Sequence, residues 1–174
     1  ITIPASTTIN LSLGVLSITE ELTLSGGAES TTVIDADSTS RVFSITGGPV
    51  TFSNLTIQEG SVAGNGGCIN VNNVQLTLSA VTLSSCQTTG AADGGAIYVS
   101  GASGNLVGSN IVVSNSQTNG ASGSAGGALF VDTGTSLTIT DSEFSSNSAY
   151  SGGAFYLMAG SEATISESLF NNND

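Results

Sequence analysis

Apolar and polar residues alternate in short runs along this chain, and each run is stopped by glycine or by a cluster of Ser, Asn and Asp. Alternation with period two predicts half-buried strands, and no 3.6-residue period interrupts it to predict helix. Leu16-Ser17-Ile18 and Leu22-Thr23-Leu24-Ser25 are such runs in residues 1–40, the least regular part, and Val33-Ile34-Asp35-Ala36-Asp37 reads as a third short side. Val42-Phe43-Ser44-Ile45 then opens a stretch that keeps register. Gly-Gly pairs begin at Gly66, Gly94, Gly126 and Gly152, at spacings of 28, 32 and 26 residues, which is the period of a solenoid. A first strand follows each pair: Cys68-Ile69-Asn70-Val71, Ala96-Ile97-Tyr98-Val99, Ala128-Leu129-Phe130-Val131 and Ala154-Phe155-Tyr156-Leu157.

A second side carries Val50-Thr51-Phe52-Ser53, Leu76-Thr77-Leu78-Ser79, Leu106-Val107-Gly108-Ser109, Leu137-Thr138-Ile139-Thr140 and Ala163-Thr164-Ile165-Ser166. Ile57, Leu83, Val113, Phe144 and Phe170 anchor a third, and Asn147 and Asn173 stand three residues beyond the two phenylalanines. Three short strands cannot bury their apolar faces alone. Coils stacked about 4.8 Å apart make one continuous core, so the pattern predicts an all-β parallel β-helix of about six coils with three short strands per coil. Inward columns are expected at Phe43, Ile69, Ile97, Leu129 and Phe155, and at Phe52, Leu78, Ile139 and Ile165. Gly108 stands where a core side chain belongs, which predicts a bulge or bend at that coil.

The 174 residues form a single β-helix domain on this reading. The chain starts inside strand-like Ile1-Thr2-Ile3 and stops at Asp174 just after a repeat element, as expected of a fragment of a longer chain. Apolar residues at 39% exclude a disordered chain, and 23 glycines with many Ser and Thr suit short strands and frequent turns. Thirteen acidic residues against the single cation Arg41 give a net charge of -12, which repels nucleic acid and anionic lipid. With only 8% charged residues, solubility rests on hydroxyls, amides and glycine, a balance that points to a secreted or surface protein. No apolar run is long enough to span a membrane, and Ile1 to Ile9 do not have the pattern of a signal peptide.

Gly94-Gly95-Ala96-Ile97, Gly126-Gly127-Ala128-Leu129, Phe144-Ser145-Ser146-Asn147 and Phe170-Asn171-Asn172-Asn173 resemble the repeat signature of the chlamydial polymorphic outer membrane proteins, within the pectate-lyase-like class. The resemblance covers residues 41–174 in pattern. It implies a right-handed β-helix, exposure at the cell surface and adhesion. Cys68 stands where that motif has alanine, and Cys86 where it has asparagine.

β-Helices of this class include enzymes that cleave acidic polysaccharides, and a lyase of that kind needs a base to take a proton alpha to a carboxylate. The chain has no His, no Lys and only Arg41, so no enzymatic activity is expected. Hydrolases use paired carboxylates instead; the close pairs are Asp35 with Asp37 and Asp141 with Glu143, a spacing that more often marks a solvated turn. No dense calcium loop is present, and neither a metal nor a cofactor is expected.

Alternation directs Tyr98, Phe130 and Tyr156 outward on three successive coils, so an exposed aromatic strip is the candidate binding site. The alternatives are cover by loops or stacking for stability alone. Threonines at 23, 51, 77, 138 and 164 form an outward hydroxyl array, broken by Val107, with a second row of mostly Ser two residues on. Such an array admits an ice-binding reading besides the bland one, that Thr suits exposed strand positions. Cys68 and Cys86 open and close one coil, as a disulfide or as two small buried thiols. Asn10-Leu11-Ser12 and Asn54-Leu55-Thr56 fit the N-glycosylation pattern. The expected function is a non-catalytic extracellular rod, adhesin or assembly module, with a polysaccharide-binding or polysaccharide-cleaving module and an ice-binding module as alternatives. Its expected partner is a protein or glycan at a surface, and its open terminal strands predict end-to-end self-association.

Overall fold

The computed structural model describes residues 1–27, 31–120 and 122–174. They form a parallel β-solenoid of about six coils, and among them there is no helix. One sheet contains Leu16–Ile18, Phe43–Ile45, Ile69–Asn72, Ile97–Ser100, Leu129–Val131 and Phe155–Leu157, stacked in chain order as the first side. The second and third sides belong to a single sheet, because three strands, Val50–Gln58, Gln75–Ser84 and Asn105–Ser114, run through both. Three separate strands per coil were expected. The two sides join there because the corner is one residue wide: Asn54, Ala80 and Asn110 take φ of 51–54° and turn the chain within one strand. Asp141 and Glu167 hold φ of 50–51° at the same corner, where the strand is interrupted between Thr140 and Glu143 and between Ser166 and Leu169. Asn fits this left-handed conformation; Ala80 adopts it against its own preference.

The core is one cluster running through the coils. Phe43, Ile69, Ile97, Leu129, Phe52, Leu78 and Ile139 are buried as the alternation predicts, whereas Ile165, on the outermost coil, is 38% exposed. Phe144 stacks on Phe170 with ring centroids 5.4 Å apart and meets Phe155 edge-on at 4.5 Å. The bend expected at Gly108 is absent: Leu78, Gly108 and Ile139 are in register. A Cβ on Gly108 would lie 2.7 Å from the δ-methyl of Ile139 and 2.9 Å from that of Ile111, so these two side chains already fill the space that glycine leaves.

The Gly-Gly pairs stack in one column, held by bonds from the amides of Gly67, Gly95 and Gly127 to the carbonyls of Gly94, Gly126 and Gly152. Beside it the disulfide Cys68–Cys86 closes a coil, with Cα atoms 5.3 Å apart. Further along, Asn147 is fully buried. Its Oδ1 accepts from the Ser116 amide at 3.0 Å, and its Nδ2 donates to the Val113 carbonyl and to Asn173 Oδ1, both at 2.9 Å. These bonds satisfy backbone groups that leave the ladder where the third side ends.

Candidate functional site

Tyr98, Phe130 and Tyr156 occupy matching positions on three adjacent first-side strands, so in-register pairing places each ring over the next. The ring centroids are 5.2 and 5.4 Å apart and the planes 17° and 12° from parallel, so the faces look along the solenoid axis at one another. Only the edges look outward. Phe130 is 6% exposed and Tyr98 and Tyr156 are half-buried, which corrects the exposed strip expected from alternation: each ring shields its neighbour. A sugar stacks on an open ring face, and both faces of Phe130 are covered.

Phe130 and Tyr156 border an open hollow of about 270 Å³ that also meets Asp93, Tyr150, Ser151 and Met158. Tyr150 is 62% exposed and Met158 38%, so these two, which alternation did not single out, offer the open apolar surface of the site. Tyr150 lies in the segment between the third side and the next Gly-Gly pair. Segments in that position differ in length from coil to coil, and their starts stack on one another: Ser61–Val62 pairs with Gln87–Thr88, and bridges join Gln87 to Gln117 and Gln117 to Ser148.

Below the hollow the Tyr98 hydroxyl donates to Asp132 Oδ2 at 3.1 Å. Burial first, then this bond and the negative charge of Asp132, push the phenol up to about 12. Asp93 accepts from the Ala125 amide at 2.8 Å; burial raises its carboxyl above the usual range, the Ala125 bond opposes the rise, and the charge on Asp132 adds to it. Asp132 was not legible as Tyr98's partner, because it lies 34 residues away and only coil stacking brings the two together.

The tyrosine's ionisation gives a test by titration. An unfolded tyrosine ionises near ~10, and Tyr98 in the folded chain at about 12. The unfolded state therefore sheds this proton first, and the stability contribution, complete below the unfolded value, is lost as pH rises through that interval. An absorbance titration is expected to show a tyrosine step at about 12, and Tyr98→Phe to remove that step and flatten the alkaline loss of stability. A titration with no step above the ordinary tyrosine value would contradict the half-buried bond from Tyr98 to Asp132.

The other sequence candidates lie apart from the hollow. Arg41 Nε and Nη2 donate to the carbonyls of Gly66 and Asn65 at 2.8 and 2.7 Å, and burial holds its pKa below the usual guanidinium value. It braces the next coil's Gly-Gly turn. Asp35 accepts from the Asp37 amide and from Gln58 Nε2, both at 2.7 Å, at the end of strand Thr32–Asp35, where it braces the turn that follows. Asp141 is an exposed corner residue, and Glu143 points outward on the third side between Val112 and Leu169. Among the described residues no three His, Cys, Asp or Glu side chains gather to hold a metal ion. Asn10 and Asn54 are exposed.

The second side is the most regular surface of the molecule. Thr23, Thr51, Thr77, Val107, Thr138 and Thr164 pair in one continuous column. Ser25, Ser53, Ser79, Ser109, Thr140 and Ser166 pair in a second. Together the sheets, corners and core define a parallel β-solenoid with one loop-bearing edge and one in-register hydroxyl face. No family model, curated protein or solved structure matches the chain.

Proposed function

We propose that this chain is a non-catalytic display module: a rigid extracellular or cell-surface rod that presents its variable segments to a protein or glycan in adhesion or assembly. The observation that carries this reading is the placement of those segments, whose starts stack on adjacent coils along one edge, where Tyr150 and Met158 line the hollow. A continuous core of stacked coils keeps such an edge straight, since each coil is fixed by its neighbours. The disulfide suits an oxidising compartment. Catalysis is disfavoured because the chain has no imidazole or ammonium base and its one guanidinium is engaged with backbone carbonyls. The shared Gly-Gly-Ala and Phe-x-x-Asn pattern supports kinship with the chlamydial polymorphic outer membrane proteins as the finer reading, with their right-handed coil and surface adhesion.

The test is binding of the folded chain to arrays of immobilised glycans and cell-surface proteins, beside a Tyr150→Ala, Met158→Ser variant. A ligand retained by the parent and lost by the variant is expected. Turnover of a uronate polymer by the purified chain, abolished in Arg41→Ala, would overturn the non-catalytic part. Retention of every ligand by the variant would move the site away from the hollow.

A further inference from the structure

We propose that the second side is a water-ordering face that adsorbs to ice, a function separate from display at the loop-bearing edge. The two columns make a grid: neighbouring coils set one repeat at about 4.8 Å, and residues two apart on a strand set the other at roughly 6.6 Å. Register is unbroken from Leu22–Gly26 to Glu162–Ser166, and the absence of a bulge at Gly108 keeps the grid regular through the middle of the solenoid. No residue in either column is charged or buried.

Hydroxyls in both columns can hold water. Those of Thr51, Thr138, Ser109 and Thr140 make no hydrogen bond to another described residue; Thr77 accepts from Gln75 Nε2 at 3.2 Å, Ser53 donates to Ser25 at 3.0 Å and Ser25 donates to the Gly26 carbonyl at 3.4 Å, each keeping an acceptor site for water. A hydroxyl fixed on a strand holds a bound water in a fixed place, and the fold has already supplied the ordering that a flexible surface would need at the moment of contact. Ice presents an uncharged periodic array of water oxygens. A rigid, uncharged, periodic array of hydroxyls and methyls is complementary to it, whereas a charged surface would hold water in orientations foreign to ice. Threonine serves better than serine here, because β-branching restricts χ1 and so fixes where the hydroxyl points. The weak row is therefore the one at Val107, which lacks a hydroxyl in the first column.

The experiment uses the purified full chain and measures thermal hysteresis and inhibition of ice recrystallisation, with circular dichroism to follow folding. The parent is expected to slow recrystallisation and facet the crystals. Thr138→Lys, which places a charge outside the core, is expected to keep the fold and lose both effects, and Val107→Thr to strengthen them. A folded parent whose ice grows as in buffer overturns the proposal, as does a folded Thr138→Lys variant with the parent's activity. Parent binding to an insoluble neutral polysaccharide, lost in Thr138→Lys and with no effect on ice, overturns it in favour of a glycan on this face. The display reading is separate in every outcome, because its variants alter the hollow and these alter only the hydroxyl grid.

Discussion

Gly127→Val is expected to destabilise the chain by about 3 kcal/mol or more, the range reached when a clash has no room to relax. Gly127 is the second glycine of its pair and needs no left-handed conformation; that belongs to Gly126, at φ +69°. A Cβ on Gly127 would instead overlap the carbonyl oxygen of Gly153 on the next coil and approach the Ser148 amide nitrogen to 2.6 Å. Both are backbone atoms held by coil stacking, so neither can swing away. Gly67 and Gly95 meet the carbonyls of Gly95 and Gly127 in the same way, which makes the column a continuous close approach of backbones. Gly134→Ala is the control, since φ there is +75° with nothing within 4 Å of the new carbon, and its conformational cost is about 1–2 kcal/mol. Urea unfolding of the three proteins measures the difference. A Gly127→Val midpoint at or above that of Gly134→Ala would show that the column can spread.

The coil register was legible in the sequence because stacking obliges each column to repeat its residue type. Gly-Gly, a small residue followed by a large apolar one, and Phe-x-x-Asn recur for that reason, and Phe144 against Phe170 is the observed result. Two features were misread because they depend on the neighbouring coil. Gly108 reads locally as a defect, yet Ile111 and Ile139 fill its place from their own positions. Phe130 reads locally as outward and exposed, yet the parallel stack that puts it outward also covers both of its faces. Alternation reports which way a side chain points; it does not report what lies on either side along the axis. Tyr150 and Met158 were missed for the complementary reason, since they lie outside the regular strands and no period selects them.

Asn147 shows how strongly the motif is constrained by chemistry rather than size, and Asn147→Asp is expected to lose about 3 kcal/mol or more at neutral pH, as a buried unpaired charge does. The amide uses both of its ends: the oxygen accepts from Ser116 and the nitrogen donates to Val113 and Asn173. A carboxylate keeps the first bond but faces two oxygens with no proton to offer. Protonated, it regains one donor, so its pKa in the folded chain must lie above the unfolded value of ~3.9. The folded state then holds the proton more tightly than the unfolded state, and stability falls as pH rises through ~3.9 until the folded carboxyl also ionises. Asn147→Ala supplies the comparison, because it removes the same bonds without adding a titrating group and its deficit against the parent should not change with pH. Denaturant midpoints from pH 3 to pH 7 are expected to diverge for the two variants, Asn147→Asp falling the further. Parallel curves would mean that water reaches the carboxylate, and the column at Asn147 and Asn173 would then be open where the structure shows it closed.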